Sequence, residues 1–325
     1  MDLRLSDDEQ AIASAFTDLF ARESSRDRVR AAQSAGFDPA LWSALVDIGL
    51  FDLAIPGPDG GGAFVDIVLV AEAAGRHLAC APIAETIVAR RLLQRLGHDD
   101  VPAGAPMAFS PLPAQQGRLP MVPGGSVADL VLGLDGDTLV LVAGKSSGVE
   151  DFGFLAAADR SLDGGDRVVL AAGPPAAQAH AVAAAEWRLV TAAGCAGLAL
   201  EALDVAGRYA RDRHQFGVPI GSFQAVQERL ATVAMAADGA QLLVREAAWC
   251  CDAGLPWEAA ATVAYAYAAQ TAIESVEAAL HVHGGYGYTL DYDPQLFLRR
   301  AHGLRLAGGD PEAVWTQVGA DRVNG

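Results

Sequence analysis

The stretch that decides the reading runs from Tyr209 to Ala231, YARDRHQFGVPIGSFQAVQERLA. It ends one helical pattern on a guanidinium, breaks at Gly217 and Pro219, and opens a second pattern at Phe223 and Gln224. A guanidinium fork, a carboxamide and an aromatic ring lie within four residues, Arg213 to Phe216, and such a set can clamp a phosphate beside a flat heterocycle. Taken alone it also fits a helix C-terminus whose arginines favour the dipole. A second interruption, His281-Val282-His283-Gly284-Gly285-Tyr286-Gly287-Tyr288, lies about 70 residues on. Its three glycines remove side chains that would hold a ligand away from backbone amides, so the turn can cradle an anion. His281 and His283 are two apart, a spacing that does not converge on one metal from a helix, so they read as cap or core residues and no metal site is expected.

Both interruptions sit in helical surroundings. Val226, Leu230, Val233, Ala237, Ala240 and Val244 recur in steps of four and three, and similar segments run over Glu186 to Arg213 and Trp257 to Leu280. With a short helix starting at Asp310-Pro311, they predict an antiparallel four-helix bundle over 183–325. Toward the N-terminus, Ser6 and Glu9 form a capping box ahead of Ile12, Ala15, Phe16, Leu19 and Phe20. Helices are also predicted over Pro39 to Ile48, closed by Gly49, over Val65 to Leu78 and over Ile83 to Leu96, giving a helical domain at 1–100. Between them six prolines from Pro102 to Pro123 forbid helix. Ala128 to Leu132 and Thr138 to Val142 then flank Asp135-Gly136 as a hairpin, and Arg167 to Ala171 offers a further strand. The expected class is α+β, mostly α, with a small β-barrel-like middle domain at 101–182.

Composition closes off several function classes. The 325 residues are 52% hydrophobic and carry 40 acidic against 23 basic side chains, a net charge of −17 that repels nucleic-acid phosphates and anionic lipid. Neither a nucleic-acid partner nor a membrane span is expected, and the acidic opening residues predict no secretory signal and a cytoplasmic setting. Cys80, Cys195, Cys250 and Cys251 lack disulfide-framework or zinc spacing, and the vicinal pair reads as apolar packing.

At this point the chain resembles the acyl-CoA dehydrogenase family, over nearly its whole length. LWSALVDIGLFDLAIPGPDGGG (41–62) is similar to the family's opening and LPMVPGGSVADLVLGLDGDTLVLV (119–142) to its middle-domain entry. The segments 209–231 and HVHGGYGYTLDYDPQLFLRRA (281–301) resemble its two most specific C-terminal motifs. The resemblance implies bound FAD, an acyl-CoA substrate, an electron-transfer-flavoprotein-like acceptor, and dimers or tetramers in which each flavin spans two subunits. It implies that Arg213 and Gln215 meet FAD phosphate and its surroundings, that Phe216 and Gln224 meet the adenosine end, and that His281, where glutamine is more usual, lines the pyrophosphate with Gly284, Gly285 and Gly287.

The family's catalytic glutamate is missing from both of its usual positions. One falls on Gly308, the other, 26 residues ahead of Arg213, on Trp187. Glu186, Asp310 and Glu312 are the nearest carboxyls, although Asp310 reads more simply as a helix cap. Where the family contacts the flavin ring through a Thr-Glu-Pro-like strand, this chain has MAFSPLPAQQGRLP (107–120), with Ser110 and Pro111 the faint echo. The resemblance therefore implies a base-lacking subunit of a heterotetramer such as those acting on steroid or other lipid CoA thioesters. The alternatives are a self-sufficient enzyme with an unusual base and a flavin-free scaffold or acyl-CoA-binding protein.

Overall fold

The computed structural model describes residues 4–57, 61–98, 104–163 and 166–324. The N-terminal helices are α1 (Asp7–Glu23), α2 (Arg26–Ala32), α3 (Pro39–Asp47), α4 (Leu50–Leu53), α5 (Phe64–Arg76) and α6 (Ile83–Arg95). The capping box at α1 forms: the Glu9 amide donates to Ser6 Oγ at 3.3 Å, and the Ser6 amide donates to Glu9 Oε2 at 2.6 Å. Phe16, Leu19 and Phe20 are its buried face. Of these N-terminal helices, α2 and α4 show no repeat in the sequence, because each is too short.

The middle region holds β1 (Met107–Phe109), β2 (Arg118–Val122), β3 (Leu130–Asp135), β4 (Thr138–Ala143), β5 (Ala158–Ser161) and β6 (Arg167–Ala172). The predicted hairpin is β3 and β4, antiparallel from Leu130 opposite Ala143 to Asp135 opposite Thr138. The sheet runs β1-β3-β4-β6, with β1 parallel to β3, and β2 pairs with β5 in a second sheet. Leu119, Val122, Val131, Val140 and Leu162 fill the space between them. Strands β1, β2 and β5 escape a sequence reading: they are three to five residues long, and β2 carries Pro120.

The C-terminal part consists of α7 (Pro174–Asp212), a two-residue pair β7 (His214–Gln215) and β8 (Val218–Pro219), then α8 (Gln224–Asp252), α9 (Glu258–His283), α10 (Pro294–Ala307) and α11 (Pro311–Asn324). Helix α7 begins 12 residues before the predicted Glu186, so the expected division at 182/183 falls inside one continuous helix. Prolines at its first two positions start it there, since a proline needs no intrahelical N–H partner in the first turn. The expected division at 100/101 lies outside the described residues. Contrary to the expectation that no segment is suited to a membrane, α7 is long and apolar enough to cross one by length and composition. Of its most apolar window 67% is buried inside the protein, so its alanines serve a packed core.

Small residues let α5 and α7 touch backbone to backbone. A Cβ at Gly197 would overlap the Glu72 carbonyl, and one at Gly75 would overlap that of Gly194. Gly197→Ala is expected to destabilise the protein by about 1–3 kcal/mol, as overpacking between rigid backbones does. A shift of the denaturant midpoint at unchanged slope would register it; no shift would mean that the two helices slide apart freely.

Candidate functional site

Helices α7 and α9 run side by side and end together. Near their C-termini the Tyr209 and His283 rings stack at 4.0 Å between centroids, and Ala206, Ala210, Ala279 and Val282 pack beneath them. His283 Nδ1 lies 2.7 Å from the Ala279 carbonyl, and burial holds its ring below the ordinary histidine range, so it is a neutral core residue. The two interruptions of the sequence thus meet at one end of the bundle. Among the described residues no group of His, Cys, Asp or Glu could hold a metal ion.

At that end Arg213 caps α7, its amide donating to the Tyr209 carbonyl, while its carbonyl accepts from the Ile220 amide at 2.7 Å. The backbone is therefore fixed and the exposed guanidinium makes no ion pair among the described residues. Gln215 Nε2 donates to the His214 carbonyl at 2.7 Å, and Gln224 Nε2 to Glu228 Oε1 at 2.7 Å. Phe216 is 95% exposed at a left-handed φ of 54° and meets Phe223 edge-on at 6.2 Å. His281 is exposed on the last turn of α9.

The glycine turn divides by role. Gly284 and Gly285 face open space, but the Gly284 amide already donates to the His281 carbonyl and is not free for an anion. Gly287 is buried, and a Cβ there would press on His283 and Leu280, so it serves packing. For a cofactor phosphate the fit rests on the unpaired Arg213 guanidinium, the open backbone at Gly285 and the bare ring of Phe216. Tyr288 and Leu290, 69% and 75% exposed, close the glycine turn and follow it.

The positions of the missing base lie elsewhere, and both are closed. Trp187 is 0% exposed and donates its Nε1–H to Glu85 Oε1 at 3.0 Å, its ring 5.7 Å from that of Tyr265. At Gly308 the amide donates to the Tyr265 hydroxyl at 3.1 Å, and any Cβ would collide with that phenol. Leu112, just beyond Ser110, lies against Gly309, while Ser110 Oγ donates to the Leu112 carbonyl at 2.7 Å and His180 Nε2 lies 2.9 Å from the Ser110 carbonyl.

None of the three carboxyls nearest in sequence is free at this spot. Glu186, 2% exposed, is held by Arg91 at 3.0 Å and Arg95 at 2.6 Å. Asp310 Oδ1 accepts from the Glu312 amide at 3.0 Å as a helix cap, and both residues are exposed. The carboxyl that sequence reading missed is Glu85, on α6, because a lone glutamate in an amphipathic helix carries no local sign of burial. Burial pushes it well above the usual carboxylate range, against the Trp187 hydrogen bond and the more distant Arg300 charge.

A pKa raised in the folded state favours the protonated form. Glu85 therefore contributes stability fully below its ordinary value of 4.5, and that contribution is lost as pH rises through the folded value. Glu85→Gln keeps an acceptor for Trp187 and removes the titration. Its unfolding free energy is expected to fall less steeply than that of the parent above pH 4.5, by chemical denaturation at a series of pH values. Parallel profiles would show Glu85 ionised without cost.

The vicinal thiols are unpaired. Burial pushes Cys251 up to about 12, which leaves it protonated and unreactive.

Comparison with known proteins accords with this geometry. The model of the acyl-CoA dehydrogenase N-terminal domain matches residues 6–101, and that of the acyl-CoA dehydrogenase C-terminal domain matches residues 179–322. The chain is 29% identical to acyl-CoA dehydrogenase IpdE2 of Mycolicibacterium smegmatis over 98% of this chain and 99% of that one. Its fold is that of a chain in the ChsE4-ChsE5 complex from Mycobacterium tuberculosis, with a TM-score of 0.88 at 23% identity over 100% of both chains. The Tcur3481-Tcur3483 steroid ACAD gives 0.86 at 23% identity over 98% of this chain and 99% of that one. Helical domains flanking a small β middle, two matched family models and two loop motifs meeting at one bundle end agree, and this chain belongs to the acyl-CoA dehydrogenase family, whose members are FAD-dependent oxidoreductases.

Proposed function

We propose that this chain is the base-lacking subunit of a heteromeric acyl-CoA dehydrogenase, lending its Arg213 end to the FAD site of a homologous catalytic partner. The observation that carries the reading is the closure of both base positions by Trp187 and by Tyr265 against Gly308. Abstraction of the proton beside a thioester carbonyl needs a carboxylate within hydrogen-bond reach, and neither position can supply one. The bound cofactor would supply hydride acceptance from the acyl chain. This chain's residues act on its distal half: Arg213 neutralises phosphate charge, Phe216 covers the flat adenine, and the open backbone at Gly285 lets the pyrophosphate approach. His281, Gln215 and Gln224 supply polar contacts at the rim.

The same face is suited to a homologous subunit. Phe216, Tyr288 and Leu290 are exposed apolar side chains on the two loops that leave α7 and α9, more than a lone subunit needs to show to water. The two-component ChsE4-ChsE5 complex and the Tcur3481-Tcur3483 steroid ACAD, which share this fold, support a two-component assembly. A ring-bearing or lipid acyl-CoA thioester, an electron-transfer-flavoprotein-like acceptor and a cytoplasmic setting complete the reading, in keeping with the four free thiols.

Co-expression tests it. Purified alone, the chain is expected to be colourless. Co-purified with a base-bearing homologue, it should yield a yellow complex with about one flavin per pair of subunits, which bleaches with acyl-CoA and a dye acceptor. A yellow chain, active by itself, would overturn the reading in favour of an unusual base.

A further inference from the structure

Three segments remote in sequence wall a cleft of about 440 Å³: the connection between α2 and α3 at Gln33 to Gly36, the loop after β4 over 148–157, and Arg299 of α10. The walls are held in place. Gly36 packs so closely on the Ala156 backbone that a Cβ would overlap it, and Asp151 Oδ1 accepts from the Gly153 amide at 2.8 Å. Arg299 is fixed as well: its Nε donates to the Phe152 carbonyl at 3.2 Å and its Nη1 to Gln33 Oε1 at 2.6 Å. The guanidinium lies 5.3 Å from the ring centroids of both Phe152 and Phe154. Among the described residues no carboxylate answers it, and its Nη2 makes no hydrogen bond. On the same lining the Glu150 side chain is exposed and equally without a partner among those residues, and Phe152 shows 72% of its surface to solvent. A fixed cation, an unpaired anion and a bare ring on one cleft leave three chemical demands open. A simple anion meets the first alone, and Glu150 and the net charge of −17 repel it. A simple cation leaves the guanidinium unanswered. A ligand that carries both charges and an aromatic group, and is neutral as a whole, meets all three.

We propose that this cleft binds a free aromatic α-amino acid, its carboxylate on Arg299 Nη2, its ammonium on Glu150 and its ring against Phe152. The guanidinium is pre-oriented, so little side-chain entropy is lost when the carboxylate arrives. The size fits, since small-molecule pockets run from roughly 300 to 1,000 Å³. None of Arg213, Phe216 and Gly285 lines the cleft, so the assignment stands whether or not the chain completes a partner's flavin site.

Titration calorimetry of the full chain with L-phenylalanine tests it, against three controls that each lack one group: N-acetyl-L-phenylalanine, L-phenylalaninamide and L-alanine. Saturable 1:1 binding of phenylalanine, with each control at least about tenfold weaker, is the expected result. Glu150→Gln alters an exposed side chain that holds nothing among the described residues. It should weaken phenylalanine binding by about tenfold and leave that of N-acetyl-L-phenylalanine unchanged. Phe152→Ala should weaken it by a similar factor while keeping the backbone carbonyl that orients Arg299. Arg299→Gln should abolish binding, and if that variant fails to fold, the other two still decide the matter. Absence of saturable phenylalanine binding, a control that binds as tightly, or undiminished binding by folded Glu150→Gln or Phe152→Ala would each overturn the proposal.

Discussion

Replacing Arg213 by alanine is expected to strip most of the flavin from the assembled complex. A charge-assisted hydrogen bond to phosphate contributes about 1.5–3 kcal/mol, so retention should weaken by roughly 10- to 100-fold. The ratio of flavin absorbance to protein after gel filtration reads the loss directly. Arg211 is the internal control: it lies in the last turn of α7, two residues away, and its substitution by alanine should leave flavin content near that of the parent. The fold should survive Arg213→Ala, since the side chain is exposed and the capping bonds belong to the backbone. Unchanged flavin in a complex that still assembles would reject the shared-site reading and favour a flavin-free scaffold.

Trp187→Ala is expected to have the largest effect on stability, about 3–5 kcal/mol, because it empties a fully buried indole site. The loss has a polar component too. Without the Nε1–H, Glu85 Oε1 loses a donor in a place where burial already disfavours its charge. Urea unfolding of the isolated chain would measure the change. A loss below about 1 kcal/mol would mean that the indole merely fills slack space, and the closure of the base position would cease to support a non-catalytic role. The variant should gain no dehydrogenase activity, since removing the plug installs no base.

The same indole marks where sequence reading ends. That the glutamate is absent from 187 and 308 is visible in the string of letters. That nothing could take its place there is not, because the obstruction comes from Tyr265 on another helix and from Glu85 on a third. Glu186 illustrates the reverse. It adjoins position 187 in the chain and so looked eligible, yet its carboxylate turns to Arg91 and Arg95 of α6.

The glycine turn was legible in kind but not in detail. Three glycines announce an exposed, tight backbone. Which amide is left over depends on hydrogen bonds that only the folded turn makes, and the His281 carbonyl claims that of Gly284. Gly287 is a glycine because Leu280 and His283 leave no room, a packing reason.

Sequence by itself determined the elements with long repeats or strong local chemistry. These are the capping box at Ser6, the 3.6-residue periodicity of α8 and α9, the turn at Asp135-Gly136, and the two polar, glycine-bearing interruptions between the long helices. Such signals depend on neighbours a few residues apart, so they survive in a linear string. Tertiary structure alone decided the pairing of short strands, the early start of α7 and the burial of Glu85 against Trp187. Each of these is an energy of desolvation or contact between segments far apart in the chain, and that energy exists only once the chain has closed around the group concerned.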